Sequence, residues 1–332
     1  MSNIIVNPKN YTGHELETIF FRPLLSGPSA ESLGIRILYN MPMPTVVQIW
    51  DRKGNVLSSF DEQSSWSGGV KTTHYQKTIP MSRVKAENAF SASDYFSTIF
   101  ELITNRPDIN MEDLSGTELE VAETELFRRA IADSIRMNLW LGDKSGNYNT
   151  GYNSFDGLLK IINERVAADQ LHFAYKDLET ELGDYSIADV MDSLIRKASP
   201  RLKGLYNDGQ VAFFVSPSIY QLYEGYLDNN YSTATYADSQ YGRKQLMFRG
   251  FPLVEINLEP SIEGSKLSQD FIIFTDRRNL VLAVNTADSP GSEVRMWYNP
   301  DEMENRQRAV FAIGCEILDE ELVCAGINVA TV

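Results

Sequence analysis

The stretch from Glu293 to Ile327 constrains this chain more than any other. It reads as three successive strands. The turn Asn299-Pro300-Asp301 ends the first, and the acidic bend Asp319-Glu320-Glu321 separates the other two. Those two, Ala309 to Ile317 and Leu322 to Ile327, are apolar and β-rich with a short polar connection, which predicts an antiparallel pair. A chain that closes this way, after a long helix and an α/β insertion, folds back to complete an earlier unit.

The 332 residues suit two intermingled domains plus arms, and an apolar content of 43% supplies a sizeable core. No apolar run approaches the roughly 18 residues that span a bilayer, so no membrane partner is expected. Met1 to Pro8 lacks a basic region followed by an apolar core, so export is not expected. A formal net charge of −15 repels nucleic acid, so nearby DNA would be enclosed, not gripped by a basic surface. Cys315 and Cys324 are the only cysteines. A cross-strand disulfide or a metal half-site competes with two buried reduced thiols, and the thiols are the expectation. No histidine lies near enough in sequence to complete a zinc site.

Residues 1–44 read as an extended arm, because Pro8, Pro23, Pro28, Pro42 and Pro44 break helix and central strand. Its Ile19, Phe20, Phe21, Leu24 and Leu25 need a surface to lie on, and a second copy is the natural candidate. Residues 45–80 read as a long hairpin. Thr45 to Trp50 is a strand, Asp51 to Asn55 a turn signal, and Val70 to Ile79 the return. The Ser- and Gly-rich segment between them carries Phe60 and Trp66, aromatics that call for burial on a neighbour.

Thr117 and Glu120 form a capping box opening a helix to Leu141, about seven turns or roughly 36 Å long. Leu119, Ala122, Leu126, Phe127, Ala130, Ile131, Ile135 and Leu139 are predicted to share its inward face, and Gly142 stops it. From 166 to 292 helices and strands alternate. Ser186 caps a helix with Ile187, Val190, Met191, Leu194 and Ile195 inward. Val211 to Val215 is a strand, and Ser216-Pro217 opens a helix through Tyr220, Tyr223 and Leu227. Further strands are predicted at Phe251 to Leu258, Phe271 to Phe274 and Leu280 to Val284.

No catalytic constellation emerges. His14, His74 and His172 are isolated, and no nucleophile elbow, His-Glu-x-x-His or phosphate-cradling loop is present. The run Asp143 to Asn149 places oxygen ligands at alternate positions. However, its glycine is misplaced and Ser154 stands where a closing Glu is required, so a polar loop is expected instead of a calcium site. Arg277-Arg278 reads as a turn between strands. Neither enzyme activity, cofactor nor metal is expected.

The order of parts resembles the major capsid proteins of tailed bacteriophages, which share the Hong Kong phage capsid fold (HK97-like, α+β). Phe155-Asp156-Gly157-Leu158-Leu159-Lys160 looks like the segment leading to the axial domain, and Val215-Ser216-Pro217-Ser218-Ile219-Tyr220 like its strand-to-helix turn. Arg249-Gly250-Phe251-Pro252-Leu253-Val254 and Phe274-Thr275-Asp276-Arg277-Arg278-Asn279-Leu280 are similar to its strand entry and late hairpin. Phe20-Phe21-Arg22-Pro23-Leu24-Leu25 and Val294-Arg295-Met296-Trp297-Tyr298 narrow the likeness to a subgroup that includes capsid proteins of phages infecting Bacteroidetes.

The resemblance implies an N-terminal arm (1–44), an extended loop (45–80), a peripheral domain with a long spine helix (81–165 and 293–332) and an axial domain (166–292). It implies a shell of pentamers and hexamers around double-stranded DNA, held without sequence specificity. A separate scaffolding protein is expected, because the arm is short, with portal and decoration proteins as further partners. The expected location is the virion, reached from the host cytoplasm. Predicted inter-subunit contacts are Phe20, Phe21, Leu24, Trp50, Lys53, Phe60 and Trp66, and Trp66→Ala is expected to leave the subunit folded while impairing assembly. The alternative within the same fold is an encapsulin-like protein nanocompartment shell.

Overall fold

Two six-stranded sheets share one apolar core in the computed structural model. It describes residues 9–11, 33–41, 45–51, 73–91, 118–145, 152–230, 246–258, 270–285, 293–302 and 304–329. The first sheet runs β1 (Lys9–Tyr11), β12 (Glu293–Asn299), β13 (Glu304–Ile317), β11 (Leu280–Asn285), β2 (Arg36–Tyr39), with β5 (Ser82–Ser91) also paired to β13. The second runs β6 (Phe173–Tyr175), β14 (Val323–Ile327), β10 (Phe271–Asp276), β7 (Val211–Val215), β9 (Phe251–Glu255), β8 (Met247–Phe248).

The predicted strands at the C-terminus exist, but β13 and β14 do not pair with each other. β13 pairs antiparallel with β12, β11 and β5, while β14 pairs antiparallel with β10 and parallel with β6. Two of the crossings between the sheets lie side by side: β10 to β11 through Arg277–Asn279, and β13 back to β14 through Leu318 to Leu322. Asn279 ties the crossings together. Its Nδ2 donates to the Asp319 carbonyl at 2.9 Å, and its Oδ1 accepts from the Asp319 N–H at 2.9 Å. The bend at Asp319 is thus satisfied by the neighbouring crossing and not by a hairpin of its own. The sheet boundary therefore does not follow the expected break at residue 292. β11 lies with the later strands and β14 with the earlier ones.

Two stretches of the predicted arm add strands to this chain's own first sheet, β1 onto β12 and β2 parallel onto β11. Residues 12–32, which hold Phe20, Phe21 and Leu24, lie outside the described residues.

Helix α1 (Glu118–Leu141) packs across the inner face of the first sheet. Phe127, Ile131, Ile135 and Leu139, four residues apart, form its buried stripe. Leu126 and Ala130, expected inward, are exposed, Leu126 by 57%. Each sits one position before a stripe residue, about 100° round the helix, and so faces the edge of the contact. The C-terminal end is buried all round, where Trp140 stacks on Phe271 at 6.3 Å between ring centroids.

Gly142 then lets α2 (Leu158–Ala167) approach. Its carbonyl accepts from the Gly157 N–H at 2.8 Å, and a Cβ at 142 would collide with the Phe155 carbonyl. One core cluster joins α1, α2, the inner face of the first sheet and one face of the second. The opposite face of the second sheet, with Phe213 and Phe274, is covered by α4 (Ile187–Lys197) and α6 (Pro217–Asn230). Both faces of β7 are buried, as its unbroken apolar run requires. The short helices α3 (Leu178–Asp184) and α5 (Pro200–Gly204) complete this side.

Candidate assembly surfaces

Among the described residues the hairpin β3 (Thr45–Asp51) and β4 (Thr73–Ile79) pairs only with itself, in the register Thr45 with Ile79 through Asp51 with Thr73. Val46 and Tyr75 leave 48% and 45% of their surfaces in solvent. The sequence reading did not single out either residue. A β-branched and an aromatic residue within an expected strand gave no sign of which face the body would leave uncovered. Trp50 lies on β3 opposite His74. Lys53, Phe60 and Trp66 lie outside the described residues.

The root of the hairpin is anchored. Ile79 is fully buried against Val281 and Ala283, on the face of the first sheet away from α1. Met81 Sδ accepts from the Thr45 hydroxyl at 3.2 Å. The Lys77 ammonium donates to the Glu320 carboxylate. Arg165, on α2, stands 3.6 Å from Glu320 and 3.8 Å from Glu316. Four charges from four elements therefore meet at the root. Burial pushes the Glu316 carboxyl above its ordinary value, against the pull of Lys77 and Arg165. Burial pushes the Glu320 carboxyl up, but the hydrogen bond from Lys77, a backbone hydrogen bond and the charges of Lys77 and Arg165 together hold it below its ordinary value.

A groove of about 520 Å³ runs between α1 and β5, with Leu126, Ala130, Ile131, Val84 and Ala86 among its walls. Nearby, the expected polar loop at Asp143 binds an ammonium. Lys160 Nζ donates to Asp143 at 2.7 Å and to Asp156 at 2.6 Å, and Asp143 also accepts from the Ser145 hydroxyl. Arg277 and Arg278 form the expected turn, with Arg278 paired to Asp276 and Asp208. Cys315 and Cys324 are free, buried thiols on different sheets, and burial pushes Cys324 up to about 12.

Among the described residues no group of three or more His, Cys, Asp or Glu could hold a metal ion. No described helix is long and apolar enough to cross a membrane.

No protein-family model matches the sequence, and neither does any curated protein. Solved structures do. The satellite phage P4 procapsid subunit aligns over 94% of this chain and 98% of its own, at 13% identity and a TM-score of 0.58. The capsid of a native GTA particle aligns over 92% and 91%, at 15% identity and 0.51. The SrpI encapsulin of Synechococcus elongatus aligns over 96% and 91%, at 14% identity and 0.52. The chain has the HK97-like capsid fold.

Proposed function

We propose that this chain is a major capsid protein that assembles as pentamers and hexamers into an icosahedral shell enclosing phage double-stranded DNA. The observation that carries the reading is an alignment with a procapsid chain over 94% of this chain and 98% of that one. The first sheet with α1 is the peripheral unit, and the second with α3 to α6 the axial unit. The hairpin lies on a neighbouring copy and buries Val46, Tyr75, Trp50 and Trp66 there. Residues 12–32, with Phe20, Phe21 and Leu24, thread beneath another copy. Many modest contacts, repeated until the shell closes, give collective stability. A scaffolding protein, a portal and decoration proteins are its partners, and it performs no catalysis.

A protein nanocompartment is the second reading, supported by the encapsulin alignment over 96% of the chain. Electron microscopy and nucleic-acid analysis of purified particles test both. Uniform closed shells with nuclease-protected DNA in infected cells support the capsid reading. Shells filled with a cargo enzyme and no DNA support the second. A protein that stays dispersed with and without co-expressed phage neighbours overturns both.

A further inference from the structure

Two successive arginines at the β10–β11 crossing have opposite surroundings. Arg278 donates to Asp276 at 2.6 Å and to Asp208 at 3.1 Å. Arg277 has no such partner. Among the described residues its side chain makes neither an ion pair nor a hydrogen bond, and its Nε is shut off from solvent without an acceptor. The residue is half-buried. Burial holds its guanidinium below the ordinary value, and no neighbouring charge offsets that. A cation taken out of water without a counter-charge costs free energy, and a buried donor left unsatisfied in this way marks a partner still to be supplied.

A glycine positions the side chain. Gly34 has a φ of +77°, and a Cβ there would stand 2.7 Å from Arg277 Cδ and 3.4 Å from its Nη1. Bare backbone at 34 therefore lets the arginine lie across the turn that leads into β2. The Arg277 N–H donates to the Gln210 carbonyl at 3.0 Å and fixes the other end. β2 packs against the Arg277–Asn279 turn. Its first residue, Arg36, is exposed and has no ion pair among the described residues. The carboxylates around the two crossings are engaged elsewhere: Asp276 and Asp208 by Arg278, Asp319 by Arg201, and Glu316 and Glu320 beside Arg165.

We infer that Arg277, with Arg36 on the adjoining strand, binds a carboxylate of a second copy of this chain; the inference rests on the shell reading. The planar guanidinium fits a carboxylate through two parallel hydrogen bonds. A chain of net charge −15 presents carboxylates in excess. On α3, for instance, Glu179 and Asp184 are exposed and meet no cation among the described residues. The same overall charge repels the dense phosphates of DNA more strongly than the scattered carboxylates of a sister subunit. Such a pair sets the register of the contact and the choice of partner more than its raw affinity.

Two substitutions in the full chain test it, read as the assembled fraction in sedimentation. Arg277→Met keeps the apolar stem over Gly34 and removes an uncompensated charge, so the dispersed subunit should melt no lower than wild type. Assembly should nevertheless fall about tenfold, the weakening expected when one interfacial ion pair is lost. Arg277→Lys keeps the charge and should restore most of it. In particles mixed from isotope-labelled Arg277→Lys and unlabelled wild-type subunits, a carbodiimide should couple the new amine to a carboxylate of an unlabelled copy. Wild-type particle yield from Arg277→Met, a lower melting point of its dispersed subunit, or no recovery with Arg277→Lys overturns the contact alone. So does coupling confined to one copy, or none in closed shells. Normal Arg277→Met shells that lose their packaged DNA would assign the arginine to phosphate and overturn it as well. If the wild type forms no particles, the contact and the shell reading fall together.

Discussion

Gly314 leaves the space that the Pro80 carbonyl occupies. A Cβ at position 314 would collide with that oxygen, so the bend from β4 into β5 rests on bare backbone of β13. Gly314→Ala should therefore lower the stability of the dispersed subunit by about 1–3 kcal/mol, the usual cost of overpacking against atoms that cannot move aside. Thermal or urea unfolding measures it, and an unchanged midpoint would show that the bend shifts freely.

Lys77 is the only described cation on the hairpin strands paired to the body, through Glu320. Lys77→Met should cost about 1 kcal/mol, because both side chains are only partly buried and water screens the pair. Amide exchange should quicken along β4 while β13 stays protected. Equal protection of β4 in variant and wild type would place the anchor in Ile79 alone.

Glu316 makes the pH dependence asymmetric. Burial raises its carboxyl above the ordinary 4.5, so the folded state holds that proton more tightly than the unfolded chain does. Its contribution is present below 4.5 and is lost as pH rises through the raised value. Glu320, held below 4.5, acts in the opposite sense and loses its contribution as pH falls. Glu316→Gln should melt higher than wild type at pH 7 and match it near pH 4. A lower melting point at pH 7 would mean that Arg165 more than offsets the burial.

Lys160 holds Asp143 and Asp156 together at the junction of α1 and α2. Lys160→Met leaves two carboxylates facing each other without their ammonium. A loss of about 1–2 kcal/mol is expected, well below that for fully buried pairs because both acids remain partly wet. Lowering the pH toward 4 should recover part of it, and a loss independent of pH would point to packing instead.

The sequence carried the existence of most elements, because an apolar stripe or a run bounded by turns is a local signal. Ser186 and Ser216 cap the helices expected of them. Partnership between strands was not legible. β13 and β14 are adjacent, apolar and joined by a short polar link, the pattern of a hairpin, yet the link is held by Asn279 from forty positions earlier in the chain. That tie depends on two crossings meeting in space, which periodicity cannot express. The hairpin at 45–80 was legible from its composition, but its anchor was not. Glu320 lies 243 positions from Lys77, and nothing local distinguishes it from its acidic neighbours.

Among the described residues, the apolar cluster that runs from one sheet into the other leaves no internal seam along which the body could shear. On the proposed shell reading, any curvature demanded by a closed container is absorbed where the chain departs from that body. The slender two-stranded strap above Gly314, with its handful of polar fasteners, is the natural joint, while the remainder behaves as a stiff tile.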